Sequence, residues 1–142
     1  MKDTAVELLI DRIPTEIGTI LIVADEESVC AVDFEDYEAR MHKLLAEHYL
    51  EFKLIPTRNP LGISDRLQAY FGGNFSALDH IPVNPSGTDF QREVWLNLRS
   101  IPPGKTITYG QLASLSKKPK SARAVGMINS LNPISIVLPC HR

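Results

Sequence analysis

The first third of the chain alternates between apolar runs and polar breaks at strand spacing. Ala5 to Arg12 and Thr19 to Ala24 are apolar runs on either side of Pro14-Thr15-Glu16-Ile17-Gly18, a segment of turn formers, and together they predict a hairpin. Asp25-Glu26-Glu27 is a second polar turn, leading into a third strand from Val29 to Phe34. The period then changes. Met41, Leu44, Leu45 and Tyr49 recur at helical spacing between Asp36 and Leu50. Phe52 to Ile55 reads as a short strand. Ser64 is placed to cap a helix carrying Leu67, Tyr70 and Phe71, which Gly72-Gly73-Asn74 ends. This half is a small α+β unit.

Ile81-Pro82-Val83-Asn84-Pro85-Ser86-Gly87 is rich in turn formers and marks a boundary, giving units 1–86 and 87–142. Beyond it the pattern is helical. Thr88-x-x-Gln91 is a capping box, and Phe90, Val94, Trp95 and Leu98 form one apolar stripe, with Trp95 expected in the core. Pro102-Pro103-Gly104 stops that helix. Thr108 caps a second helix, Tyr109 to Leu115, with Leu112 and Leu115 inward. Ser116 to Lys120 is a polar turn, and Ser121 caps a third helix with Ala124, Val125, Ile128 and Leu131 on its apolar side. Two short helices joined by a tight turn are a helix-turn-helix or an ordinary α-hairpin. Ile134 to Leu138 is apolar and predicts a buried strand that Pro139 ends. Cys140 then stands past a rigid strand end beside His141 and Arg142, either as a packed structural thiol or as one whose thiolate is favoured by nearby positive charge.

Charge changes this picture more than composition does. Apolar residues make up 44% of the chain and charged ones 23%, ordinary values for a globular protein. No run can span a bilayer, and Met1-Lys2-Asp3-Thr4 opens no secretory leader. Two cysteines, Cys30 and Cys140, make no disulfide framework, so a reducing, cytoplasmic setting is expected. No metal spacing links Cys30, His42, His48 and His80; Cys30 is read as core, and His42 and His48 as solvated. The net charge of −2 conceals an imbalance. Residues 1–90 hold seven basic and sixteen acidic side chains, a net −9, whereas residues 91–142 hold eight and one, a net +7. The basic segment either meets a polyanion or complements the acidic half of the same molecule. Lys117, Lys118, Lys120 and Arg123, with no acid among them, favour nucleic acid.

Pro139-Cys140-His141-Arg142 resembles the active-site signature of the O6-alkylguanine-DNA alkyltransferases. Gly87 to Trp95, Ile101-Pro102-Pro103-Gly104, Thr108 to Ala113, Ala122-Arg123-Ala124-Val125-Gly126 and Asn132-Pro133 resemble the same family in the same order. The resemblance is specific from Gly87 onward and loose before it. It implies a mixed α/β (α+β) protein: a ribonuclease-H-like α+β domain, then a winged-helix-like helix-turn-helix domain that binds double-stranded DNA. It implies stoichiometric removal of the alkyl group from O6-alkylguanine, and also O4-alkylthymine, with no cofactor; a monomer with no metal is expected from the residues themselves, which show no exposed heptad, long apolar patch or metal spacing. Cys140 matches the alkyl acceptor, His141 the base that deprotonates it through a water, and Asn132 the asparagine that shapes the turn. Tyr109 matches the tyrosine that rotates the flanking phosphate and donates a proton to the leaving base. Arg123 matches the arginine that fills the vacated stack. Ala122, Gly126 and Lys120 fall on the DNA-binding stretch, and Arg142 orders the site.

The sequence departs from the family in three respects. Members continue past the Cys-His-Arg with a glycine-rich stretch and a helix bearing a glutamate that orients the histidine; the sequence given stops at Arg142, so slow transfer is expected of this exact chain. Met127 and Ile128 stand where the family usually has very small residues, and Asp89 replaces a common proline. The rival readings are a damage-recognition protein that binds without transfer, an inactive truncated alkyltransferase, and a plain helix-turn-helix regulator.

Overall fold

Continuous apolar runs, as opposed to alternating ones, belong to strands covered on both faces, and two of the four strands of this protein's sheet, Gly18–Ala24 and Val29–Phe34, are built that way. The computed structural model describes residues 6–74, 76–85, 87–100, 108–116, 122–134 and 136–138. Strand β1 (Val6–Thr15) forms a hairpin with β2 (Gly18–Ala24), pairing Ile13 with Ile20 and Leu9 with Ala24. Gly18 sits at φ 132°, where a side chain would be strained. β2 pairs antiparallel with β3 (Val29–Phe34), and β4 (Phe52–Pro56) returns parallel to β1, giving the order β3-β2-β1-β4. Ile20, Leu21, Ile22 and Val23 are all fully buried. Leu21 and Val23 join Leu8 and Ile10 against Met41 and Leu45 of α1 (Glu38–His48). Ile20 and Ile22 face Ile63 and Leu67 of α2 (Ile63–Phe71), and this second layer continues without a break into the C-terminal half.

That half contributes α3 (Asp89–Asn97), α4 (Tyr109–Leu115) and α5 (Ala122–Ser130), which pack on one another. The predicted capping box of Thr88 with Gln91 forms, and the predicted cap Thr108 makes a second full box with Gln111. Trp95 is buried as expected, and its indole N–H donates to Ile128 O at 2.8 Å, which ties α3 to α5. Two segments also lie on the open edge of β3, one from the boundary stretch 81–87 and one from this half. The Val29 N–H donates to Pro82 O at 2.9 Å, and Asn84 N–H to Val29 O at 2.8 Å. Val32 N–H donates to Pro133 O at 3.0 Å, beside a parallel bridge between Val32 and Ile134. The edge strand is thereby covered by the boundary stretch and by the turn after α5.

Several expectations need correction. Ser64 is not a cap: α2 begins one residue earlier, after Gly62 in the left-handed region, and the Ser64 hydroxyl donates instead to Asp11 Oδ2 at 2.6 Å. Leu115, Leu131 and Ala124 are exposed. The seam between helices of seven and nine residues is narrow, so it takes Leu112, Val125 and Ile128 and leaves the flanking positions outside. The segment after Ile134 is not a strand. Ile134, Val137 and Leu138 are buried as predicted, but Ile136 has φ 72° and Leu138 N–H donates back to Ile134 O at 3.0 Å, so the chain turns. The stop at Pro102-Pro103-Gly104, the cap at Ser121, the turn lysines Lys117, Lys118 and Lys120, and the run from Pro139 to Arg142 lie outside the described residues.

Candidate active site

The site is assembled around the α4–α5 pair and the turn that follows it. The Thr108 capping box fixes the start of α4: its hydroxyl accepts from Gln111 N–H at 3.0 Å, and the Gln111 side chain accepts from Thr108 N–H at 2.7 Å. Tyr109, the first residue of α4, is thereby held at the surface and is 53% exposed. Its ring lies over Gly126 of α5, where a β-carbon would stand 3.0 Å from two ring carbons. Glycine at 126 therefore lets the aromatic ring and the α5 backbone touch. Arg123 and Met127 stand one helical turn apart on α5 and are both exposed, Met127 at 67%, while Ala122 is half-buried.

Directly after α5 the chain reaches Asn132, which is 2% exposed. A buried carboxamide must be fully bonded to be tolerated. Its Oδ1 accepts from Ile134 N–H at 2.9 Å and its Nδ2 donates to Leu138 O, so one side chain closes the whole turn 132–138. The structure thus sets Tyr109 against Gly126, with Ala122 and Arg123 in the first turn of the same helix and Asn132 two residues past its end. The other sequence-based candidates, Lys120, Cys140, His141 and Arg142, lie outside the described residues.

The basic excess of the C-terminal half is divided. Arg92 donates to Asn84 Oδ1 at 3.0 Å and to Pro85 O, and Arg99 points at Leu78 O. Burial draws the Arg99 guanidinium below its ordinary range, although Asp79 opposes the shift. These two arginines bind the halves together, whereas Arg123 stays at the surface.

Cys30 is the inactive contrast. Its thiol is buried on β3 between Asp25 and Tyr49, with Sγ 3.7 Å from Asp25 Oδ2 and 3.6 Å from the Tyr49 hydroxyl. Burial pushes the thiol up to about 11, against a hydrogen bond from Tyr49 that lowers it. Such a group is a poor nucleophile near neutrality.

Two family models cover almost the entire chain. Residues 9–85 match the ribonuclease-like domain of 6-O-methylguanine DNA methyltransferase, and residues 89–142 match its DNA binding domain. The chain belongs to the 6-O-methylguanine DNA methyltransferase family. A methylated-DNA–protein-cysteine methyltransferase of Shigella flexneri is 48% identical over 138 residues, covering 95% of this chain and 81% of that protein. One of Methanosarcina acetivorans is 38% identical, covering 89% of this chain and 76% of its own. The Mycobacterium tuberculosis protein of this family crystallised in complex with DNA superposes with a TM-score of 0.76 at 32% identity, covering 94% of this chain and 76% of that one.

Sequence reasoning missed two features of this methyltransferase fold. The contact of Tyr109 with Gly126 left no local trace, because it joins two helices through a missing side chain. Arg40 of α1 reaches the carbonyls of Ser130 and Asn132, and nothing in the helical period around it marks that role. Among the described residues, no helix is long and apolar enough to cross a membrane.

Proposed function

We propose that this protein repairs DNA by taking the alkyl group of O6-alkylguanine, and also of O4-alkylthymine, directly onto Cys140, once per molecule. The observation that carries this reading is the Asn132 turn: the segment leading to Cys140 is closed by the buried side chain of a residue two positions past the helix that carries the exposed Arg123. Residues 1–86 act as the supporting α+β domain and residues 87–142 as the DNA-binding and acceptor domain. The reach of the two family models supports this division.

An alkylated base cannot be attacked while stacked, so the nucleotide must leave the duplex, at a cost of a few kcal/mol. Arg123 fills the gap and Tyr109 turns the neighbouring phosphate; Ala122, Gly126 and Lys120 lie along the strand. His141 takes the thiol proton through a water, and the sulfur of Cys140 attacks the alkyl carbon. The carbon–sulfur bond forms as the carbon–oxygen bond breaks, the electron pair leaves on the base, and Tyr109 supplies the proton that neutralises it. Arg142 orders the site. The thioether has no activated leaving group, so the thiol is not regenerated. A thiol chemistry of this kind belongs in a reducing, cytoplasmic compartment, and the protein acts as a monomer.

The test is mass spectrometry after incubation with a duplex carrying O6-methylguanine. The expected result is one added methyl group on the peptide containing Cys140, none on Cys30, and none in Cys140→Ala. Binding to the duplex without any gain in mass would assign damage recognition in place of repair.

A further inference from the structure

Arg40 lies on α1, in the N-terminal half, yet most of its bonds are made to the other half. Its Nη1 donates to Asp33 Oδ2 at 2.7 Å. Its Nη2 donates to Ser130 O at 3.0 Å and to Asn132 O at 3.1 Å. Asp33 is itself fixed: its side chain is only 8% exposed, and its other oxygen accepts from Phe34 N–H at 2.9 Å. Ser130 is the last residue of α5, where the carbonyls are left without helical partners and carry partial negative charge, so a cation is favourable there. A lysine would answer Asp33 as a point charge. The planar fork of an arginine spreads its donors over two nitrogens, one for the carboxylate and one for the two carbonyls.

These bonds make a continuous path. It runs from β3 through Asp33 to Arg40, then to the backbone of Asn132, and through the Asn132 side chain to Leu138 O. Leu138 is two residues short of Cys140. Pro133 and Ile134, between the two ends of the turn, are held on the edge of β3 by the Val32 bond and bridge. The turn before Cys140 is therefore referenced to the N-terminal sheet at two points, and Arg40 sets the one at the end of α5.

We infer that Arg40 is a positioning residue for alkyl transfer, fixing the end of α5 against the turn that leads to Cys140. The inference rests on the reading of Cys140 as acceptor. A plain cross-brace between halves would affect how much protein is folded and not how fast each folded molecule reacts.

The experiment uses the full chain with Arg40→Met and Arg40→Lys. It measures thermal stability, affinity for an O6-methylguanine duplex, and the single-turnover rate at saturating duplex, well below the melting temperature of each variant. It also measures the pH profile of Cys140 alkylation by iodoacetamide, which needs no DNA. Since a displacement of about 1 Å can cost about 10²-fold in rate, Arg40→Met is expected to lose about ten- to a hundredfold in saturated rate with duplex affinity nearly unchanged. Its iodoacetamide profile is expected to shift. Arg40→Lys is expected to recover most of the stability and only part of the rate; should Arg40→Met fail to fold, the slower rate of Arg40→Lys is the deciding value. Wild-type rate per folded molecule together with an unmoved iodoacetamide profile overturns the inference, as does a loss confined to duplex affinity. If the wild-type protein takes up no methyl group, it is the acceptor reading that fails, and the iodoacetamide profiles still decide whether Arg40 positions Cys140.

Discussion

A single methyl group added at Gly126 separates the stability of the α4–α5 pair from its chemistry. Gly126 lies inside α5, and alanine is favoured over glycine in a helix interior by about 1 kcal/mol. The new β-carbon would stand 3.0 Å from Tyr109 Cδ2 and Cε2 and 3.5 Å from Cγ. Carbon contacts are most favourable at about 3.5–4.0 Å, so the ring must retreat by about 0.5 Å or more. It has room, because Tyr109 is half-exposed at the first position of its helix. A side-chain torsion turned about 30° from its well costs roughly 0.5–1.5 kcal/mol, so the two terms nearly cancel. Gly126→Ala is expected to change stability by less than about 1 kcal/mol in a urea melt. Transfer should not be spared, because the displaced ring is the one proposed to orient the phosphate and protonate the leaving base. A loss of about tenfold in single-turnover rate on duplex substrate is expected. Unchanged transfer at unchanged stability would refute a role for the position of the Tyr109 ring. A stability loss above about 2 kcal/mol would instead show that the ring is locked by packing, against the freedom argued from its exposure.

Two further outcomes follow from groups on the sheet. Burial raises the Asp11 carboxyl, but the Ser64 hydroxyl and the N–H groups of Asn59 and Arg12 outweigh it and hold the group below its ordinary value of 3.8. A depressed carboxyl stabilises the fold above 3.8 and loses that contribution as pH falls through its folded value, so Ser64→Ala should cost about 1 kcal/mol at neutral pH and less in acid. Equal losses in urea melts at both pH values would contradict this. The Cys30 thiol, raised from 9.0 to about 11, supports the fold fully below pH 9 and loses that support as pH rises toward 11. Native protein at pH 8 should leave Cys30 unlabelled by a thiol reagent that modifies it readily once unfolded, and rapid labelling of the native state would show that the strand opens.

The sequence alone determined whatever is local. The β1–β2 hairpin, the β3 and β4 runs, the box at Thr88 and the cap at Thr108 were legible because the residues that define them lie within a few positions of one another. The family was equally legible in the motif around Cys140, and a family model matches residues 89–142. Tertiary structure decided the rest. Ser64 carries the residue type of a cap, but Asp11, 53 residues away, takes its hydroxyl. The run from Ile134 to Leu138 has the composition of a strand, and apolarity by itself distinguishes neither strand nor buried turn. The Asn132 side chain makes it a turn by bonding both of its ends. Arg40 and Gly126 look unremarkable on their own helices, and each acquires its role from a group on a different element: two carbonyls for one, an aromatic face for the other. Periodicity reports which side of an element is buried, whereas the partner of a polar group is fixed only when distant segments are brought within hydrogen-bonding reach.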